Sequence, residues 1–267
     1  MEVDPYMYHL TAKNHSKFRV PVFAVLGAVL VVGLTLVGWF ARPQPVMEEA
    51  EVALGGSDSV EVARFEVSGT SGYHFVPDGR SGVGLMFYPG ARVPARAYAP
   101  DMLDIAEKGH EVYLIEMPLN FAFLGWRKAD DIIADVSEVD CWAVGGHSLG
   151  GAMASRYVAK TNKDVSGLVV WGSYPETGLS FEEKGLEILS IIATNDEIIS
   201  EENTERSKEQ FPEERTKFAY IEGGNHSQFG WYGFQSGDGA ATISRQEQVD
   251  IIVGETSDFL SSLCSSD

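Results

Sequence analysis

Two kinds of apolar pattern run along this 267-residue chain. Residues 20–40 are apolar almost without a break, with Val29-Leu30-Val31-Val32-Gly33-Leu34 at their centre. From Val60 onward the apolar residues come in short runs, each with the period of a strand or a helix. Val60-Glu61-Val62-Ala63-Arg64-Phe65-Glu66-Val67 alternates at period two, the mark of a strand with one wet face, and residues 72–77 are expected to pair with it. Val83 to Tyr88 is apolar throughout and predicts a central strand. A helix is expected over 95–108, stopped by Gly109, with a strand at 112–115 after it. Further apolar runs at 141–144, 167–171, 188–193 and 217–221 predict strands, separated by helical patterns at 152–159, near Ser200, and at 241–263. That alternation over about 210 residues predicts a single α/β domain at 60–267, doubly wound on a mainly parallel sheet.

The first pattern has a different destination. About 20 apolar residues suffice to cross a bilayer as a helix, and Pro21 falls in the first turn, where a missing amide costs little. The expected order is a polar tail at 1–19, a transmembrane helix at 20–41, a linker containing Pro, Glu and Gly at 42–59, and then the domain. Lys13, Lys17 and Arg19 precede the span, whereas Arg42 is followed by Glu48, Glu49 and Glu51. By the positive-inside rule the N-terminus is cytoplasmic and the domain faces out, as in a single-pass protein of the cell membrane. The apolar run exceeds the roughly 7–15 residues of a cleaved signal peptide, and the nearest small-residue cleavage pattern, Ala50-Glu51-Val52-Ala53, is distant. An uncleaved signal anchor is the preferred reading.

Charge removes one class of partner. The chain has 20 basic and 39 acidic residues, a formal −19. Residues 1–42 hold four basic and two acidic residues, which leaves 16 against 37, a formal −21, for the remainder. Such a domain repels nucleic acid and anionic headgroups alike. Cys141 opens a strand and Cys264 sits in a polar tail. Nothing requires a bond between them, and they are expected to stay unpaired.

The candidate chemistry lies in Val144-Gly145-Gly146-His147-Ser148-Leu149-Gly150-Gly151. A serine in a Gly-x-Ser-x-Gly frame, directly after an apolar run and before a helical pattern, has the strand–turn–helix order of a nucleophile elbow. Serine needs a base and an acid to orient that base. After Ser148 the only histidine is His226, in Gly223-Gly224-Asn225-His226-Ser227, just past the strand expected at 217–221. Two aspartates lie between them. Asp164 precedes a strand, whereas Asp196 follows one, at the carboxyl end where the ligands of parallel sheets collect. Asp196 is the expected acid, with neighbouring Glu197 as the alternative.

Taken together, Phe87-Tyr88-Pro89-Gly90-Ala91, Glu116-Met117-Pro118-Leu119-Asn120, the elbow and Gly224-Asn225-His226 resemble the α/β-hydrolase fold, and within it the compact, dienelactone-hydrolase-like serine hydrolases. The resemblance covers about residues 60–262. It implies a Ser148–His226–Asp196 triad, with the backbone amides of Leu149 and Ala91 as oxyanion donors. Dienelactone hydrolases themselves carry a cysteine nucleophile, so their substrate is not implied by Ser148. The expected reaction is hydrolysis of an ester-type bond (carboxylic ester, lactone or thioester) in a small acyl substrate through an acyl-enzyme. It needs no metal or organic cofactor, and the chain has no Cys-x-x-Cys, His-Glu-x-x-His or Gly-x-x-x-x-Gly-Lys pattern. Glu116, Phe121, Phe229 and Trp231 are candidate pocket residues, each with packing or loop bonding as the plainer alternative. An acyltransferase and a surface-displayed binding protein on an inactive hydrolase scaffold remain the competing functions.

Overall fold

The computed structural model describes residues 42–264 without interruption and, before them, scattered helical residues between 25 and 38. The span expected at 20–41 therefore lies largely outside the described residues. Among the described residues, no helix is long and apolar enough to cross a membrane. The chain divides into two compact units, Met1–Arg42 and Pro43–Asp267, and the second holds the sheet and the candidate site.

Eight strands form one sheet: β1 (Val60–Val67), β2 (Thr70–Pro77), β3 (Val83–Tyr88), β4 (Glu111–Ile115), β5 (Cys141–His147), β6 (Gly167–Trp171), β7 (Glu187–Ala193) and β8 (Thr216–Ile221). Their order is β1-β2-β4-β3-β5-β6-β7-β8. β1 and β2 pair antiparallel, and so do β2 and β4; every later pair is parallel. The β1–β2 hairpin turns on Ser68 and Gly69, both at positive φ (50° and 85°), the backbone that a two-residue turn needs to match strand twist.

The central strands are apolar on both faces because both are covered. Along β3, Leu85 and Phe87 enter one core cluster while Met86 and Tyr88 enter the other, and Val169 with Trp171 against Leu168 with Val170 repeats that division on β6. Two helices, α2 (Ala99–Glu107) and α6 (Arg245–Ser262), cover the first face through Met102, Ile105, Val249, Ile252 and Leu260. The second face is covered by α3 (Ala129–Asp135) and α4 (Leu149–Lys160), through Ile132, Met153 and Tyr157. The polar α5 (Glu201–Gln210) buries only Ser207 and begins at Ser200, whose side chain accepts the Asn203 amide.

Local chemistry explains where the elements depart from the periodicity. The helix expected from residue 95 opens as a 3-10 turn, Ala95–Tyr98, before α2. α6 starts later than residue 241 because Ser244 and Glu247 form a reciprocal capping box. Residues 48–53 of the expected linker form a short helix, α1 (Glu48–Ala53), with Ala50 and Ala53 buried. One expectation is overturned: Cys141 and Cys264 are joined in a disulfide, with Cα atoms 6.3 Å apart, inside the range such a bond requires. Their separation of 123 residues hides this pairing in the sequence. Only the return of α6 along the sheet brings the tail cysteine to the start of β5.

Candidate active site

Ser148 sits between β5 and α4 with φ 53° and ψ −124°, a conformation that L residues avoid. The turn closes only because Gly146 and Gly150, two residues to either side, lack side chains. A Cβ on Gly150 would strike the Tyr88 carbonyl oxygen, and one on Gly146 would come within 2.7 Å of that same atom. The Ser148 amide donates to the Trp171 carbonyl at 3.0 Å, and its own carbonyl accepts from the Ser173 hydroxyl at 2.6 Å. These bonds hold the elbow against β6 and the segment after it.

His226 lies just beyond β8 in a 3-10 turn and is fully buried. Its Nδ1 is 2.7 Å from Asp196 Oδ2. Oδ1 of Asp196 accepts the amides of Ile198 and Ile199, each at 2.9 Å, so the carboxylate is aimed by its own loop. An ionised carboxylate only accepts hydrogen bonds, so the ring proton belongs on Nδ1 and the lone pair on Nε2. That Nε2 is buried and makes no hydrogen bond in the structure. Ser148, Asp196 and His226 thus follow the carboxyl ends of β5, β7 and β8, the edge where parallel sheets gather their ligands.

Leu149 is the first residue of α4, and amides in a first turn have no acceptor within their own helix. Ala91 follows Gly90 in the loop after β3, which is tied down by the Arg92 amide donating to the Asn120 carbonyl at 2.8 Å. Glu116 is engaged elsewhere: its two carboxylate oxygens take the Arg64 guanidinium at 2.7 and 2.8 Å, which holds the carboxyl below its usual range. Phe121 is buried beside Phe123, ring centroids 5.4 Å apart, while Leu119, Phe123 and Leu124 stay exposed. Phe229 is fully buried, stacked on His147 at 5.2 Å and edge-on to His226 at 6.4 Å. Trp231 anchors the loop through its amide, 2.6 Å from the Ala97 carbonyl. Glu197 is exposed, and Asp164 precedes β6. A cavity of about 420 Å³ opens beside Asp196, bounded by Gly172, Ser173, Thr194, Ile199 and Tyr220.

Residues 84–250 match the model of the alpha/beta hydrolase family, well over half of the chain. The chain belongs to that family. Solved structures with the same fold include a predicted CIB-like hydrolase from Thermoplasma acidophilum (15% identity, TM-score 0.53, covering 77% of this chain and 99% of its own). A hormone-sensitive lipase from a metagenome library aligns at 11% identity and TM-score 0.59, over 80% of this chain and 92% of its own. A carboxyl esterase from the mycorrhizal fungus Tuber melanosporum aligns at 11% identity and TM-score 0.55, over 77% and 89%. At these identities the likeness is one of fold. No curated protein matches this alpha/beta hydrolase.

Several side chains that shape the site have no signature in the sequence. Asp238 is buried and accepts the amides of His226, Ser227 and Gly239 at 3.2, 2.7 and 2.9 Å. Gln248 pairs with both backbone groups of Asn225, at 2.9 and 2.8 Å. Arg245 donates to the carbonyls of Ser227, Gly230 and Tyr232. His147 fills the variable position of the elbow motif, and its fully buried ring lies 4.4 Å from that of His226. Burial first, and the neighbouring His226 second, hold its pKa well below the usual range. Of these four, only His147 has a local signal, being part of the elbow itself.

Proposed function

We propose that this protein is a membrane-anchored serine hydrolase of small ester-type substrates. The observation that carries the reading is the 2.7 Å contact between His226 Nδ1 and Asp196 Oδ2, on the sheet edge that also presents strained Ser148. His226 Nε2 takes the hydroxyl proton as Ser148 Oγ attacks the carbonyl carbon. The amides of Leu149 and Ala91 receive the oxyanion, each such donor being worth about 3 kcal/mol of barrier. The imidazolium, steadied by Asp196, then protonates the leaving alkoxide or thiolate. Water attacks the acyl-enzyme by the same route, which restores Ser148 and releases the acid. Esters are preferred over amides because their leaving groups ask least of the acid.

The anchor is residues 20–41, with the N-terminus cytoplasmic and the hydrolase domain outside. Supporting this side of the membrane is the Cys141–Cys264 disulfide, since such bonds persist in oxidising compartments. Protease added to intact cells is expected to digest the domain; full protection would reverse the orientation.

The activity is tested on the full chain in detergent with a fluorophosphonate and intact-mass detection. One probe per chain is expected, lost in Ser148→Ala, followed by turnover of p-nitrophenyl esters. Absence of labelling on folded protein would overturn the hydrolase and favour a binding scaffold.

A further inference from the structure

Three segments that carry the proposed reacting groups meet on one buried phenol, Tyr98, at the end of the 3-10 turn before α2. The first is the loop after β3: the Gly90 amide, one residue before the proposed donor Ala91, donates to the Tyr98 hydroxyl at 3.0 Å. The second is the elbow: His147 Nδ1, next to Ser148 in the chain, lies 2.8 Å from that same hydroxyl. The third is the His226 loop, which packs on the ring so closely that a Cβ on Gly230 would sit 2.9 Å from Tyr98 Cε1. Tyr232 extends this third contact. Its ring centroid is 6.5 Å from that of Tyr98, and its hydroxyl donates to the His226 carbonyl at 3.2 Å. Gly90 lets the junction close tightly: a Cβ there would lie 3.0 Å from His147 Nδ1 and 3.1 Å from the phenol oxygen, and both side chains would have to give by a few tenths of an ångström.

Counting protons settles the direction of the central bond. The Tyr98 oxygen accepts from Gly90, so its own buried hydrogen needs an acceptor, and His147 Nδ1 is the partner in place. Were Nδ1 protonated instead, both the phenol hydrogen and the His147 Nε2 lone pair would be buried without partners. The first arrangement leaves a single orphan, the Nε2 proton. His147 therefore carries its proton on Nε2, in a ring whose centroid lies 4.4 Å from that of His226.

We propose that Tyr98 is a positioning residue for the reaction. Its hydroxyl locks the oxyanion loop to the elbow and fixes His147 as the neutral Nε2–H tautomer beside His226. The role rests on the reading of Ser148, His226 and Asp196 as the reacting groups. Locked in this way, the imidazole next to the nucleophile offers no second base, so the Ser148 proton has one destination, His226 Nε2. The lock also keeps the Ala91 and Leu149 amides, which come from separate segments, converging on one point.

The test uses the full chain in detergent, with ring-¹⁵N histidine spectra, fluorophosphonate labelling rates and ester kcat and KM. In the wild type, His147 is expected to show a protonated Nε2 and an acceptor Nδ1. Tyr98→Phe removes only the hydroxyl. It should let the His147 tautomers mix and slow labelling and kcat by about tenfold or more, with KM little changed. His147→Gln keeps an acceptor for the phenol and should retain more activity than His147→Leu, which keeps none. A wild-type His147 protonated at Nδ1, or a Tyr98→Phe chain that labels at the wild-type rate, would overturn the proposal. Should Tyr98→Phe fail to fold, the wild-type spectrum and the ordering of the two His147 variants decide the question. A wild-type chain that never labels, yet whose His147 tautomers mix in Tyr98→Phe, overturns the serine-hydrolase reading and leaves the lock standing.

Discussion

The elbow at 146–150 and the loop at 225–239 each present one of the proposed reacting groups, and they are built by opposite means. The elbow is fixed by main chain pressed against main chain: Gly146 and Gly150 leave no space for a side chain, and Ser148 takes the strain. The histidine loop is fixed by side chains that reach into it. Asp238 gathers the amides of His226 and Ser227, Gln248 pairs with Asn225, and Arg245 holds three carbonyls. A site built from backbone contacts is local and writes itself into a few consecutive residues. One built from side-chain bonds is spread along the chain, and no short stretch of it is diagnostic.

The most severe way to break the elbow is Gly150→Val. The added side chain would meet the carbonyl oxygens of Tyr88 and Pro89, which are main chain and cannot step aside without disturbing the end of β3. A loss of more than about 4 kcal/mol in chemical denaturation is expected, well beyond an ordinary substitution. A variant of wild-type stability would show that the elbow has slack.

On the other side of the comparison, Asp196→Asn leaves the architecture alone and corrupts one proton. Its oxygen still accepts the Ile198 and Ile199 amides, but its NH₂ now faces His226 Nδ1. The imidazole is driven to the wrong tautomer, and kcat should fall by roughly 10⁴-fold with the melting temperature little changed. Glu197→Gln, on the exposed neighbour, should leave kcat as it is. The opposite ranking in steady-state assays would move the acid to Glu197.

The same contrast explains what can be read from the sequence. β3 and β6 are legible to the residue because buried parallel strands are unbroken apolar runs, and the elbow because its glycines stand within three residues of its serine. The order of serine, aspartate and histidine points to residues that the fold brings to one edge. Tyr98, Asp238 and Gln248 stay hidden, since a tyrosine in a 3-10 turn or a glutamine in a helix has no local signature of its distant partner. Cys264 looks unpaired for the same reason: only the course of α6 reveals that it ends beside Cys141. Glu116 is suggested by its place after β4, but it answers to Arg64 on β1, an ion pair 52 residues apart in sequence that no local motif announces.

Asp238→Ala is the mildest of these tests and the most direct probe of the distributed half. The carboxylate, 9% exposed, accepts three amides and the Ser227 hydroxyl, the last at 2.6 Å. Removing it strands those donors, but beside a partly open surface where water can replace some of the bonds, so about 1–3 kcal/mol of stability should be lost. The amide of His226 is one of the stranded donors, so its ring should also wander relative to Asp196, slowing fluorophosphonate labelling about tenfold. Asp238→Asn is no milder by necessity: its NH₂ would oppose either the His226 and Gly239 amides or the two donors of Ser227. Wild-type labelling in a destabilised Asp238→Ala chain would mean that Asp196 and the packing of Phe229 suffice to aim the imidazole. The loop would then be as local in its function as the elbow, and the contrast between them would be one of stability alone.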